Sequence, residues 1–293
     1  MRRFSALPLL VLCLSVGITG CYKSTRLVQK TQAPDKVQVA TATELEKQIS
    51  DRDAAIKTLT ASVQVTFSTG GNKEGKVTTY TSFSGFITVA KPRNLRVIMQ
   101  LPVVRSNAGI MVSDGKTFRL VIPPLNKAYE GTNQVTKPSK NTLENLRPSV
   151  FFDSLLIPGV GPDDLVELTE SSRIIPGEKH KPSIEEPDYD FNIMKVKNGN
   201  VLQRERVVHV SRIDLMPIQQ DVYDDGGRIV TTTTYDNYKD FGGQKFPTLI
   251  NIRRPLQELS LKVEISKMTF NETLDEDVFE LKIPPGDKVQ KLE

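Results

Sequence analysis

The sequence contains few of the residues that build metal centres and catalytic sites. Among 293 residues there are two cysteines, two histidines and no tryptophan. His180 lies in a charged segment and His209 in a strand-forming run, and neither has a histidine or cysteine partner at metal-ligand spacing. The sequence also lacks a GxSxG elbow, a phosphate-binding loop and an HExxH motif. It therefore gives no support for an enzyme, and we predict no metal and no cofactor.

The charged residues point to no particular class of ligand. The formal net charge is +4, and it falls to +2 without Arg2 and Arg3, so we expect no nucleic acid partner. Asp221, Asp224 and Asp225 lack the ligand spacing and the closing glutamate of a calcium loop. We therefore expect a solvated hairpin turn there.

The N-terminus has the layout of a secretory signal peptide. A basic start is followed by an apolar run, residues 4–16, which is too short to span a membrane and ends at ITGC, residues 18–21. The ITGC stretch resembles the lipobox of bacterial lipoproteins, in which the cysteine is lipidated and the signal is removed before it. The resemblance implies that residues 1–20 are the signal peptide and that Cys21 anchors the protein to a membrane. The alternative is an ordinary signal peptide with a chance cysteine.

The resemblance to lipoproteins also suggests a location. In enteric bacteria, aspartate directly after the lipidated cysteine favours the inner membrane, and this sequence has Tyr22 there. We therefore expect a lipid-anchored protein of the cell envelope, on the periplasmic face of the outer membrane. Residues 21–41 are predicted to be the lipidated cysteine and a flexible tether, and residues 42–293 the folded domain.

The body of the chain reads as one helix followed by strands. Apolar spacing predicts an amphipathic helix over residues 43–60, with Thr43 and Glu46 as a capping box. Alternating runs then predict antiparallel strands, among them a hairpin at IMVSDGKTFRLVIPP (110–124), which turns at Asp114-Gly115. An apolar helical insertion is expected at about 138–159, beginning its helix near Pro148. We further predict a loop over 176–190, a bulge between Ile265 and Met268, and a last strand containing Phe279, Leu281 and Ile283.

Three phrases in this order resemble the LolA and LolB proteins, which are the periplasmic carrier and the outer-membrane receptor of bacterial lipoproteins. They are KPRNLR (91–96), IMVSDGKTFRLVIPP and FELKIPPG (279–286). The resemblance implies a mainly β fold with some α: an unclosed antiparallel β-barrel, or half-barrel, with an N-terminal helix and a helical lid over an apolar cavity.

The resemblance also suggests functional residues. We expect the cavity wall to be formed by Phe67, Phe86, Val97, Met99, Phe118, Leu120, Leu261, Val263 and Ile265. We expect the lid to be formed by Phe151, Phe152, Leu155 and Leu156. In LolA an arginine holds the lid shut at the position of Lys91, and lysine cannot reproduce its bidentate contacts. Pro102-Val103-Val104 is either an exposed apolar tip, as in LolB, or an ordinary strand end.

Three functions follow from this interpretation. The leading one is a LolB-like receptor or carrier that binds acyl chains of lipoproteins or other lipids and receives them from a periplasmic carrier protein. The second is a structural or assembly lipoprotein that uses the same fold, with a filled core, for protein contacts. The third, a hydrolase of envelope material, requires a cleft with perturbed carboxylates. An apolar face under a helix is a filled core in most proteins, and the sequence alone does not distinguish a filled core from a hollow one.

Overall fold

The computed structural model describes residues 25–26, 30–133, 135, 146–177 and 181–292. The predicted signal peptide 1–20, Cys21, His180 and residues 138–145 of the predicted insertion lie outside the described residues. The chain divides into two compact units, residues 1–33 with 174–185 and residues 34–173 with 186–293. In the smaller unit a two-residue strand, β1 (Thr31–Gln32), runs parallel to Ser183 and Ile184.

The larger unit is built on one long sheet. Its strands are β2 (Thr58–Gly71), β3 (Lys76–Thr79), β4 (Phe83–Ala90), β5 (Asn94–Gln100), β6 (Asn107–Ser113), β7 (Thr117–Ile122), β8 (Lys127–Thr132), β9 (Leu165–Ile175), β10 (Ser183–Lys197), β11 (Val201–Ser211), β12 (Pro217–Tyr223), β13 (Ile229–Phe241), β14 (Gln244–Arg254), β15 (Leu259–Phe270) and β16 (Lys288–Leu292). Short 3-10 helices cover Pro123–Leu125, Pro255–Gln257 and Glu276–Phe279.

The strand order in this sheet is β10-β11-β12-β13-β14-β15-β2-β4-β5-β6-β7-β8-β16, with β3 beside β2 and β9 beside β10. Neighbours from β10 to β8 are antiparallel, and β16 runs parallel to β8. Phe118 of β7 and Ile252 of β14 belong to the same core, so the sheet curves around that core without closing. The predicted half-barrel with helices is confirmed.

The first helix, α1 (Ala42–Ala54), is shorter than predicted. Its capping box is Thr41 with Glu44, two residues earlier than the predicted Thr43 with Glu46. The predicted end at residue 60 is wrong because Leu59 belongs to β2, where it alternates inward with the next apolar residues. Leu45 and Ile49 are buried in a cluster with residues of β10 and β11.

The second helix, α2 (Pro148–Leu155), begins at the predicted proline. Val150, Phe151, Phe152 and Leu155 are all buried. A helix that is apolar on nearly every side requires cover on several sides, and the curved sheet provides it.

Two predicted segments differ from the structure. The expected loop over 176–190 already contains the start of β10 at Ser183, because Tyr189 and Phe191 alternate into the apolar core while Asp188 and Asp190 lie on the other face of the strand. The expected last strand at 279–283 is not a strand. Leu281 and Ile283 pack on the outer face of β6, β7 and β8 as an extended segment, so their alternation reflects packing rather than strand pairing.

The central hairpin and the bulge are confirmed. β6 and β7 pair around Asp114-Gly115, and Gly115 has a φ of +89°. The Asp114 carboxylate accepts hydrogen bonds from the backbone N–H groups of Lys116 and Thr117, which lower its pKa. The register of β15 against β2 shifts between Ile265 and Lys267.

Candidate functional site

The concave face of the half-barrel contains an apolar cavity of about 270 Å³. Its walls come mainly from β2 and from the consecutive strands β4 to β7. Cross-strand pairs such as Val97 with Met111 and Met99 with Gly109 place these residues on the same face. The lining residues are Phe67, Tyr80, Phe83, Val97, Met99, Ala108, Gly109, Met111, Leu120, Ile122, Leu146 and Phe151.

Five of the residues expected in the wall and the lid therefore lie in one place. Phe67, Val97, Met99 and Leu120 line the cavity, and Phe151 of α2 covers it. The other predicted lid residues, Phe152, Leu155 and Leu156, are buried in the adjoining core. Four further wall candidates, Phe118, Leu261, Val263 and Ile265, are buried in that same core and do not line the cavity. The concave face is thus filled over one part and hollow over another.

Phe86 is a wrong prediction. Its side chain is 42% exposed and lies on the convex face, among polar residues such as Ser62 and Gln64. In β4 the inward positions are occupied by Phe83, Gly85 and Ile87, because side chains alternate along a strand. Phe83, which was not predicted from the sequence, is the aromatic residue of β4 that lines the cavity.

The turn between β4 and β5 holds both helices. The Lys91 ammonium donates to the backbone carbonyl of Asp53 and, at 2.5 Å, to its carboxylate. The second carboxylate oxygen of Asp53 accepts the backbone N–H of Gly159 at 3.1 Å. Lys91 therefore contacts α1 directly and the segment after α2 through Asp53.

Arg93 adds a contact from the same turn to α2. Its guanidinium donates to the Asp153 carboxylate at 3.1 Å and lies over the Phe152 ring, 5.6 Å from its centroid. Arg93 was not predicted from the sequence as a lid contact, although it lies two residues after Lys91. The turn thus secures α1 and α2 together.

The opposite side of α2 packs against polar side chains of the sheet. The Gln220 amide donates to the backbone carbonyl of Asp153 at 3.0 Å, and the Thr233 hydroxyl donates to the Ser154 hydroxyl at 3.0 Å. Arg206 donates to the backbone carbonyl of Gly159 at 2.5 Å. Burial raises the pKa of Asp153, and the nearby arginines Arg93, Arg206 and Arg254 offset part of that rise.

One end of the half-barrel carries exposed apolar side chains. We define the tip rim as the turns 72–75, 101–106, 123–126, 198–200, 224–228 and 255–258, and the latch rim as the turns 91–93, 114–116, 212–216 and 242–243. Val103 is 97% exposed and Val104 70% exposed at the tip rim. Residues in or next to the other tip-rim turns, including Val77, Leu125 and Leu256, are also exposed.

The cavity lies at the tip-rim end of the strands. Met99 and Gly109 are close to the ends of β5 and β6, immediately before and after the turn that contains Val103. Phe83 begins β4 and Ile122 ends β7 at this same rim. The cavity and the exposed apolar turns are therefore neighbours.

His209 and two aspartates form an ion-pair network away from the cavity. His209 lies between Asp190 and Asp221, at 2.7 Å and 3.1 Å from its two ring nitrogens. Burial raises the pKa of the neighbouring Asp188 to about 6. Asp224 accepts backbone N–H groups of Gly226 and Arg228, as a solvated hairpin turn requires.

Within the described part of the chain, no group of three or more histidine, cysteine, aspartate or glutamate residues is arranged to hold a metal ion. No helix among the described residues is long and apolar enough to cross a membrane.

The geometry defines a class of protein: an unclosed antiparallel half-barrel with a helix seated over an apolar cavity. No sequence-family model matches the chain, and no curated protein matches it. Several solved structures are similar to it. A DUF1329 family protein from Desulfovibrio piger is similar over 82% of this chain and 95% of its own, at 14% identity and a TM-score of 0.52. A domain from Vibrio parahaemolyticus described as outer membrane lipoprotein-sorting is similar over 82% of this chain and 97% of its own, at 11% identity and a TM-score of 0.51.

A LolA superfamily protein from Nitrosomonas europaea covers 80% of this chain and 97% of its own, at 14% identity and a TM-score of 0.49. The other two structures have TM-scores above 0.5, and at identities of 11–14% they show a shared fold. The chain has the fold of these two structures, one of which is a domain described as outer membrane lipoprotein-sorting, and this agrees with the predicted LolA/LolB-like fold.

Proposed function

We propose that this chain is a lipid-anchored protein of the cell envelope that acts as a LolB-like receptor or carrier. In this proposal it is anchored through Cys21 to the periplasmic face of the outer membrane. It receives acyl chains of lipoproteins or other lipids from a periplasmic carrier protein and passes them to the membrane. The observation that carries the proposal is the apolar cavity lying directly beside the exposed apolar turns of the tip rim.

The size of the cavity sets the amount of lipid it shelters. A methylene group takes up about the volume of a liquid water molecule, roughly 30 Å³, so 270 Å³ accommodates about nine carbons. At roughly 0.8 kcal/mol for each buried methylene, nine contribute on the order of 7 kcal/mol before the costs of binding. A longer chain reaches beyond the cavity, so its full uptake requires α2 to move.

The exposed valines provide a route for release. Val103 and Val104 project from the turn between β5 and β6, and an apolar side chain in this position gains free energy when it leaves water for a bilayer. The tip rim therefore brings the cavity to the membrane surface. Shielding in the cavity and contact through the rim together account for a transfer function.

The second candidate function is a structural or assembly lipoprotein. It is favoured by the filled part of the concave face, where Leu261, Val263 and Ile265 are buried in the core with Phe152 and Leu155. A half-barrel that never binds lipid would use its outer surfaces for protein contacts.

The test is transfer of a fluorescent acyl probe. Residues 22–293, exported behind a signal peptide that is cleaved before residue 22, are purified without detergent, loaded with the probe and mixed with phospholipid vesicles. We expect Val103→Asp with Val104→Asp to slow transfer at least tenfold while leaving probe binding unchanged. Ile213→Asp, at an exposed site on the latch rim, is the matched control and should transfer normally. If the unaltered chain takes up no probe and co-purifies with no lipid in native mass spectrometry, the lipid-transfer proposal is wrong and the second candidate stands.

A further inference from the structure

The concave face has two chemically different halves. From β2 to β7 it is apolar and contains the cavity. From β11 to β14 it also carries polar side chains: Arg206, Gln220 and Thr233 lie on the side of the core, among apolar residues such as Ile252. Arg254, two residues beyond Ile252 on β14, faces the same side.

Arg254 is close to the apolar cavity. It pairs with Leu259 of β15, which pairs with Thr69 of β2, and the cavity residue Phe67 is the next inward position on β2. Two strand spacings amount to about 10 Å, a distance that an arginine side chain and a bound molecule readily bridge. A ligand lying in the cavity therefore has one end within reach of Arg254.

Only some of the hydrogen-bond donors of the Arg254 guanidinium are bonded within the described part of the chain. Its Nε donates to the Gln257 side chain at 3.0 Å, and in the described part of the chain its two Nη atoms donate to no residue. Arg206, by contrast, has Asp53, Asp164 and Asp153 nearby. Burial and the nearby Arg147 lower the pKa of Arg254, and the carboxylate close enough to offset this is Asp153.

That carboxylate belongs to the lid. Asp153 lies on α2, bonded to Arg93 and close to Arg254. When α2 moves away from the sheet, Asp153 moves with it, and Arg254 loses this nearby negative charge. A second anion then has a site made of paired N–H donors, the geometry that favours carboxylate and phosphate groups.

We propose that the cargo of the cavity is a lipid with an anionic head group, phosphate or carboxylate, which binds Arg254 while its acyl chain occupies the apolar half. Asp153 of the lid, which is bonded to Arg93, is the carboxylate near Arg254 and competes with the head group. The inference rests on the proposed function, since it names the kind of lipid that the same cavity takes. It gives the half-barrel a way to couple head-group binding to displacement of α2.

The test compares three ligands with twelve-carbon chains: laurate, dodecyl phosphate and uncharged monolaurin. Their affinities are measured by isothermal titration calorimetry on residues 22–293, purified in the same way as for the transfer test. We expect the two anionic ligands to bind at least tenfold more tightly than monolaurin. A preference for dodecyl phosphate over laurate would identify the head group as phosphate, and the reverse as carboxylate.

Substitutions test whether Arg254 causes the tighter binding of the anionic ligands. Arg254→Gln should remove the tenfold advantage of the anionic ligands and leave monolaurin unchanged, and Asp153→Asn should tighten the anionic ligands several-fold. Arg253→Gln is the matched control, because Arg253 is the next residue on β14 and is exposed on the opposite face. Equal binding of charged and uncharged ligands, or equal losses from Arg254→Gln and Arg253→Gln, would overturn this inference while leaving the proposed function intact. Absence of binding by all three ligands would overturn both.

Discussion

Gly109 offers a substitution that should strengthen the fold and weaken lipid binding. It lies in β6 on the wall of the cavity, and a Cβ added there would meet only the Leu120 side chain and the Val121 carbonyl, both at 3.8 Å. Its φ is not in the left-handed region, so Gly109→Val is free of backbone strain. Glycine within a strand costs roughly 0.5–1 kcal/mol relative to alanine, and a β-branched residue favours strands. We therefore expect the variant to be more stable by about 0.5–1 kcal/mol.

The same substitution fills part of the cavity. Three added carbons at roughly 30 Å³ each occupy about a third of the 270 Å³. Displacing about three methylenes of a bound chain costs about 2.4 kcal/mol, which corresponds to a roughly fiftyfold weaker Kd. Titration with a fluorescent acyl probe measures the affinity, and urea denaturation measures the stability.

The control is Ser84→Val, which adds a valine on the exposed convex face of β4. It should leave probe binding unchanged. If Gly109→Val binds the probe as tightly as the unaltered chain, the cavity is not where the acyl chain lies, and the volume argument is refuted.

Two further predictions concern the lid contacts and the ion-pair network. Asp53→Asn should lower the free energy of unfolding by about 1–2 kcal/mol, because the Lys91–Asp53 pair is only about a quarter exposed and so falls between surface and buried ion pairs. Hydrogen exchange of residues 148–160 should be faster in Asp53→Asn than in the unaltered chain. The control is Asp51→Asn, which breaks the exposed Lys47–Asp51 pair of the same helix and should not change that exchange. Equal exchange in the two variants would contradict the role given to Asp53. Burial raises the pKa of Asp188 from 3.8 to about 6, so the folded state binds this proton more tightly than the unfolded state does. The resulting stabilisation is fully present below pH 3.8 and is lost as the pH rises through 6. The stability of the unaltered chain relative to Asp188→Asn should therefore fall by about 1–3 kcal/mol between pH 4 and pH 7 in urea denaturation, and a constant difference would show that Asp188 titrates normally.

The parts of the fold that follow from local patterns were predictable from the sequence. The alternation of Leu259, Leu261 and Val263 specifies a strand, the Asp114-Gly115 pair specifies a hairpin turn, and Pro148 specifies a helix start. The face of β4 was not predictable in this way. Phe83 and Phe86 are three residues apart and so lie on opposite faces, and pairing with β2 and β5 decides which one points inward.

The cavity and the lid contacts depend on distances that the sequence does not contain. Leu261 and Val263 are packed into a filled core, whereas Met99 and Gly109 border empty space. The resemblance directed attention to Lys91, but its partner Asp53 lies 38 residues earlier, and the Asp153 partner of Arg93 lies 60 residues later. Only the folded chain brings these charges together, and nothing in the local pattern distinguishes them from solvated surface residues.

The pairing of β2 with β15 joins residues near position 65 to residues near position 263, at the centre of the sheet. Sheets dominated by such non-local pairs fold slowly, because a long loop must close before any of its contacts form. Until β15 pairs with β2, the edge of β2 that contains Val63, Val65 and Phe67 is unpaired and its apolar side chains are exposed. A chain with this topology therefore passes through a stage in which apolar strand residues are exposed, and at that stage it is prone to aggregation.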